Sequence, residues 1–254
     1  LAAQLAKRSG HADAAPACLV TADFSAVLNE LQATQRQYTQ WISQPVAGCT
    51  LQYSLSLLND LNVAHLYVED ISERTQAQRD LMFQAYHDEL TELKNRRKFN
   101  ENLEGLVARQ QAAALLLIKI DRFDRLTSSL GYRAGDDLIL RVAEQLRDFI
   151  DHFCSVPLQH KLYHLNSDKF ALLLDEWPQG AAADIFAASL ANSLRGHIKQ
   201  GMCVQGREFH LTISIGMSCL PHDADNAEAL LANADTALTQ LQRDGGDGVL
   251  GYSA

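Results

Sequence analysis

The chain has 254 residues, 47% of them hydrophobic, and a formal charge of −9, enough for one large core or two smaller ones. That charge argues against a general binder of nucleic acid or of anionic membranes, since each requires a basic face. The longest apolar run, Ala112 to Ile118, stops at Lys119, well short of the roughly 20 residues of a membrane span, so the expectation is no membrane span and a cytoplasmic location.

The opening stretch LAAQLAKRSGHADAAP lacks the apolar segment and cleavage pattern of a signal peptide. It starts without Met, as expected of a piece excised from a longer protein. The five cysteines (Cys18, Cys49, Cys154, Cys203 and Cys219) are odd in number and contain no C-x-x-C, so reduced, mostly buried thiols are expected. Among nine histidines only His160 and His164 have suggestive spacing, on one face of an alternating strand. Their neighbourhood offers no further zinc ligands, so no metal is expected there.

In chain order, ADFSAVLNELQATQ places Phe24, Val27, Leu28 and Leu31 on one helical face. YTQWISQPV follows. Leu51, Tyr53, Leu55 and Leu57 then alternate with polar residues, Asn59-Asp60 makes a turn, and VAHLYVEDI completes a hairpin. Asp70 caps the next helix, with Glu73 three residues on as a loose capping box. With no Gly or Pro before Gly105, this reads as a connecting helix, bent near His87-Asp88. Its thin seam of Ile71, Ala77, Leu81 and Ala85 suits a contact between two protomers or a solvated linker.

Beyond it the pattern alternates. AALLLIKID is too apolar for a wet face and is therefore a central strand. RFDRLTSSLG and AGDDLILRVAEQLRDFI read as helices separated by Gly131 to Gly135. YHLNSDKFALLL is a hairpin with its turn at Asn166-Ser167-Asp168. A tip setting Asp168 beside Lys169 suits a metal site, an acid–base pair or a solvated turn. AADIFAASLANSLRGHIKQ carries Phe186, Leu190, Leu194 and Ile198 on one helical face. REFHLTISIGMSCL reads as one strand, AEALLANADTALTQLQRDG as a helix, and GVLGY as a short last strand. The sum is an α/β (α+β) fold, helices covering a central mixed sheet, preceded by a helix and antiparallel strands.

AYHDELTELKNRRKF resembles the opening of GGDEF domains, the diguanylate cyclases, with Asp88, Leu90, Thr91, Leu93, Asn95, Arg96 and Phe99 fitting D-x-L-T-x-L-x-N-R-x-x-F. IKIDRFDRLTSSLGYRAGDDLI, FHLTISIGMSCLP and NADTALTQLQRDGGDGV match later segments, so the resemblance spans about residues 84 to 253. The preceding VEDISERTQAQR resembles the end of a PAS domain. The implied organisation is a partial PAS-like domain over 1–72, a connecting helix over 73–86 and a GGDEF domain over 87–254.

The resemblance implies a nucleotidyl-cyclase-like sheet and a reaction joining two GTP molecules by metal-assisted phosphoryl transfer. It also implies where the machinery falls. The family's strand-end metal aspartate falls on Lys119, and its signature hairpin on Asn166-Ser167-Asp168-Lys169-Phe170, with Lys169 in place of the catalytic glutamate. An ammonium offers no lone pair to a metal and repels it. The phosphate-binding lysine falls on Asp124, and the C-terminal Lys and Arg on Gln242 and Gly246. The guanine-binding Asn falls on Thr127, with Asp136 kept as its partner, where a helix start after Gly135 equally favours a carboxylate. The inhibitory R-x-x-D falls on Pro157 and His160. Asp121 is expected to be structural, and Asp168 to pair with Lys119.

The expected function is therefore a non-catalytic signalling and interaction module of a bacterial cyclic-di-GMP regulator, with no metal or other cofactor. The architecture resembles FimX-like PAS–GGDEF–EAL regulators of type IV pili, with a downstream EAL domain as partner and homodimerisation through the PAS segment and connecting helix. An allosteric GTP sensor without turnover is the alternative, and an active cyclase is the third reading.

Overall fold

The computed structural model describes residues 38–42, 49–58, 63–109, 111–153, 161–175 and 181–252. The helix expected around Phe24 to Leu31, the Asn59-Asp60 turn, Cys18, Cys154, Pro157 and His160 lie outside them. The chain divides into two compact units, residues 1–83 and 84–254.

In the first unit β1 (Tyr38–Ile42), β2 (Leu51–Leu58) and β3 (Val63–Asp70) form an antiparallel sheet in that order. Period-2 alternation buries Leu51, Tyr53 and Leu55 on one face, where Trp41 stacks on Tyr53 with centroids 5.1 Å apart. The Asp70 carboxylate then accepts the Ser72 N–H at 3.0 Å, supplying an acceptor to an orphan donor at the start of α1 (Ser72–Tyr86).

The helix expected to bend near His87 instead ends. The Asp88 carboxylate accepts both the N–H and the hydroxyl of Thr91, each at 2.8 Å, a local alternative that competes with helical backbone pairing. Glu92 takes a left-handed φ of 58°, and Asn95 caps a separate helix, α2 (Arg96–Ala108), accepting from the Lys98 N–H.

The second unit is a five-stranded sheet with helices on both faces. Its strands are β4 (Ala113–Ile120), β5 (Leu162–Asn166), β6 (Lys169–Leu174), β9 (Ile213–Leu220) and β10 (Val249–Gly251), in the order β10-β9-β4-β6-β5. Only β10 runs parallel to its neighbour. AALLLIKI is central, as its lack of a polar face requires, and every residue of it but Lys119 is buried.

Alternate residues of β4 feed two cores. Ala114, Leu116, Ile118 and Ile120 pack with α3 (Phe123–Leu130), α4 (Tyr132–Phe153) and α5 (Ala181–Ile198). Leu115 and Leu117 pack with α2 and α6 (Ala227–Arg243).

Three expectations are corrected. Gly131 alone separates α3 from α4, and Gly135 lies inside α4, where a Cβ would sit 2.7 Å from Thr127 Cγ2. Gly135 therefore serves close helix packing. The stretch REFHLTISIGMSCL divides at residues 210–212: its start is β8 (Arg207–Phe209), which pairs with β7 (Met202–Val204) in a small hairpin turned by Gln205 and Gly206 (φ 50° and 75°), and β9 begins only at Ile213. Phe186 is 39% exposed, so the buried stripe of α5 is Ala187, Leu190, Ala191, Leu194 and Ile198.

Candidate functional site

The hairpin β5–β6 turns through Ser167 and Asp168, and β6 lies antiparallel to β4 with Lys119 directly opposite Lys169. Two ammonium groups facing each other across a strand pair destabilise it unless something neutralises them. Both project to the α2/α6 face, in step with Leu117 and Ala171. Helix α6 meets them there. Lys169 Nζ donates to Asp235 Oδ1 at 2.7 Å, and Lys119 Nζ to Gln242 Oε1 at 3.3 Å.

Lys119 also approaches Asp168, its Nζ 3.8 Å from Oδ2. This is an ion-pair contact longer than a hydrogen bond. Burial pushes the Asp168 carboxyl above the usual range; the Lys119 charge opposes that and the Asp124 carboxylate adds to it. The rise survives the Lys119 attraction, so the contact with Lys119 does not offset the burial of Asp168.

This donor set does not fit a divalent cation, which needs several oxygen ligands. Asp168 offers one carboxylate beside two ammonium groups. Asp121, the next acid along, is spent on structure. Its Oδ2 accepts from Thr212 Oγ1 at 2.7 Å and from the Asp247 N–H at 2.9 Å, and its Oδ1 from Ser214 Oγ at 2.6 Å. Gly246 crosses this carboxylate with φ +80°, where a Cβ would stand 2.9 Å from Asp121 Oδ1. Asp247 in turn holds Arg195 and Lys199, each at 2.6 Å. These acids fasten the β4 end to the loop before β10.

The two positions assigned to guanine separate in role. The Thr127 hydroxyl donates within its own helix, to Phe123 O and Asp124 O at 3.2 Å, and its methyl packs at Gly135. Asp136 is exposed one turn inside α4, which begins at Tyr132. The expected role for Asp136 at a helix start is therefore corrected.

His164, considered above with His160, is 6% exposed, with Nδ1 2.9 Å from Asp88 Oδ1 and its ring 4.8 Å from Phe170. Burial pulls the Asp88 carboxyl upward, but hydrogen bonds from the Thr91 N–H, His164 and the Thr91 hydroxyl outweigh it and hold it below the usual range. Sequence reading missed this pair and the Asp235 partner of Lys169. The parity of β6 pointed Lys169 toward α6, but spacing alone does not say which turn of that helix lies above it.

Residues 85–248 match the family described as diguanylate cyclase, GGDEF domain. The chain is 30% identical over 194 residues to cyclic di-GMP phosphodiesterase NbdA and 32% identical over 178 residues to the bifunctional diguanylate cyclase/cyclic di-GMP phosphodiesterase MucR, both of Pseudomonas aeruginosa. These alignments cover 75% and 68% of this chain but 22% and 24% of the relatives, so the chain spans about a quarter of their length. The solved GGDEF domain of TpbB from the same organism aligns with a TM-score of 0.57 at 27% identity, over 66% of this chain and 95% of that one. The GGDEF domain of FimX, also from P. aeruginosa, shares the fold with a TM-score of 0.56 at 19% identity, over 65% and 98%.

Proposed function

The chain belongs to the GGDEF family, and from that premise we propose that its GGDEF domain is a non-catalytic signalling and interaction module of a cyclic-di-GMP regulatory protein. One observation carries the reading. Lys119 and Lys169, at the positions of the metal ligand and catalytic acid, stand opposite each other and are each engaged by α6. A cyclase needs its charges there reversed, because two triphosphates must be neutralised by cations held on carboxylates. Asp124 and Gln242 at the phosphate-binding positions act in the same direction.

The proposed organisation is a partial PAS-like domain over 1–72, a connecting helix over 73–86 and the degenerate GGDEF domain over 87–254. A downstream EAL domain is the proposed partner within the full protein, in the FimX-like PAS–GGDEF–EAL arrangement associated with type IV pili. The cyclic di-GMP phosphodiesterase activities for which NbdA and MucR are named are compatible with such a partner. Homodimerisation would rest on the PAS segment and α1, where Leu81, Met82 and Phe83 are 66%, 55% and 45% exposed. The location proposed is cytoplasmic; no helix among the described residues is long and apolar enough to cross a membrane.

The test adds GTP and magnesium to the whole chain and follows both heat and product. Neither heat of binding nor cyclic-di-GMP is expected. Heat without product would favour the allosteric GTP sensor, for which the exposed Asp136 is the surviving base contact. Product above a mock preparation would make the chain a cyclase.

A further inference from the structure

On the α2/α6 face, beside the hairpin, lies a cavity of about 330 Å³. This is the low end of the roughly 300–1,000 Å³ of small-molecule sites. Phe99, Leu117 and Leu231 give it an apolar floor. Of its charged walls, Lys169 and Asp235 satisfy one another. Arg96 on α2 and Glu228 on α6 are exposed, and among the described residues neither side chain has an ion-pair or hydrogen-bond partner.

The two unpartnered charges are not equivalent. Glu228 lies in the first turn of α6, where its own helix dipole favours an anion. Arg96 is the first residue of α2, whose first turn has no acid, so the dipole there repels it and an external anion would be doubly favoured. The cavity thus has one strong demand for an anionic group at Arg96, one acceptor for a cationic group at Glu228, and an apolar floor.

We infer that this cavity binds a compact zwitterion with an apolar body, of the class of α-amino acids with aliphatic or aromatic side chains. The carboxylate would meet Arg96, the ammonium Glu228, and the side chain the floor of Phe99, Leu117 and Leu231. The positions assigned to guanine, Thr127 and Asp136, lie on helices packed against the other sheet face, whereas Lys169 of the signature hairpin forms one wall of the cavity.

The test is calorimetric titration of the whole chain with L-phenylalanine, L-leucine and L-methionine, with phenethylamine and 3-phenylpropionate as probes lacking one charge. At least one amino acid should bind saturably. Arg96→Gln and Glu228→Gln, both at exposed positions, should each weaken it at least tenfold. Phenethylamine should be insensitive to Arg96→Gln, and 3-phenylpropionate to Glu228→Gln. Absence of saturable binding for all three amino acids, or binding unchanged by both substitutions, overturns the inference.

Discussion

The Lys119 and Asp168 pair separates contact from stabilisation. The groups lie 3.8 Å apart with side chains 30% and 14% exposed, yet burial still leaves the Asp168 carboxyl raised. A group with a raised folded pKa contributes stability below its unfolded value and loses it as pH rises through the folded one. At neutral pH the ionised Asp168 therefore opposes folding. Asp168→Asn is expected to be neutral or stabilising at pH 7 by up to about 1 kcal/mol, read from urea midpoints. A clear loss of stability would show that the pair is worth more than its burial costs. Asp88 has the opposite sign. Its carboxyl is lowered, so its contribution is full above the usual aspartate range and drains away as pH falls through the lowered one. Asp88→Ala should cost about 1–3 kcal/mol at pH 7, leaving the Thr91 donors and buried His164 short of an acceptor, and the deficit should shrink in acid. A deficit independent of pH between 2 and 7 would remove the carboxylate from the account.

At the scale of elements, two glycines mark where one element presses on another. Gly135 sits where a Cβ would be 2.7 Å from a side-chain methyl, and Gly216 on β9 where it would be 2.3 Å from Ala234 O on α6. A methyl can turn aside, whereas a helix carbonyl cannot without moving α6. Gly135→Ala should therefore cost about 1–3 kcal/mol and be largely relieved by adding Thr127→Ser. Gly216→Ala should reach or exceed the top of that range, with no single side-chain change to relieve it. Denaturant midpoints of the three variants, including the double one, decide the order. The Lys169 tie to α6 is lighter, because Asp235 is 49% exposed. Lys169→Glu should cost no more than about 1 kcal/mol and, with Lys119 still in place, should yield no cyclic-di-GMP in a product assay.

At the scale of the molecule, the proposed assembly separates from the proposed chemistry. The second unit carries its own sheet with two cores, whereas the apolar side chains Leu81, Met82 and Phe83 are exposed on α1. The seam residues Ile71, Ala77, Leu81 and Ala85 recur at spacings that do not keep a heptad, so a long coiled coil is not expected. A chain beginning at Met82 should be monomeric by light scattering, and the whole chain at least partly dimeric. A dimeric truncation would place the interface on the GGDEF faces instead.

The sequence by itself determined the central strand, the hairpin, its turn and the last helix, because each follows from local periodicity or local turn chemistry. The family positions proposed for Lys119 and Lys169 come from the same reading, since four segments stay in register with the family along the chain. That reading misjudged the break after Tyr86 and the start of α4. There, side-chain bonds from Asp88 and close packing at Gly135 outweigh the helical pattern. Only the tertiary structure decided what the two lysines do. Their facing register, the reach of Asp235 and Gln242 from α6, and the burial that raises Asp168 are distances between segments far apart in the chain. Periodicity fixes which face a side chain takes, and packing fixes what it meets there.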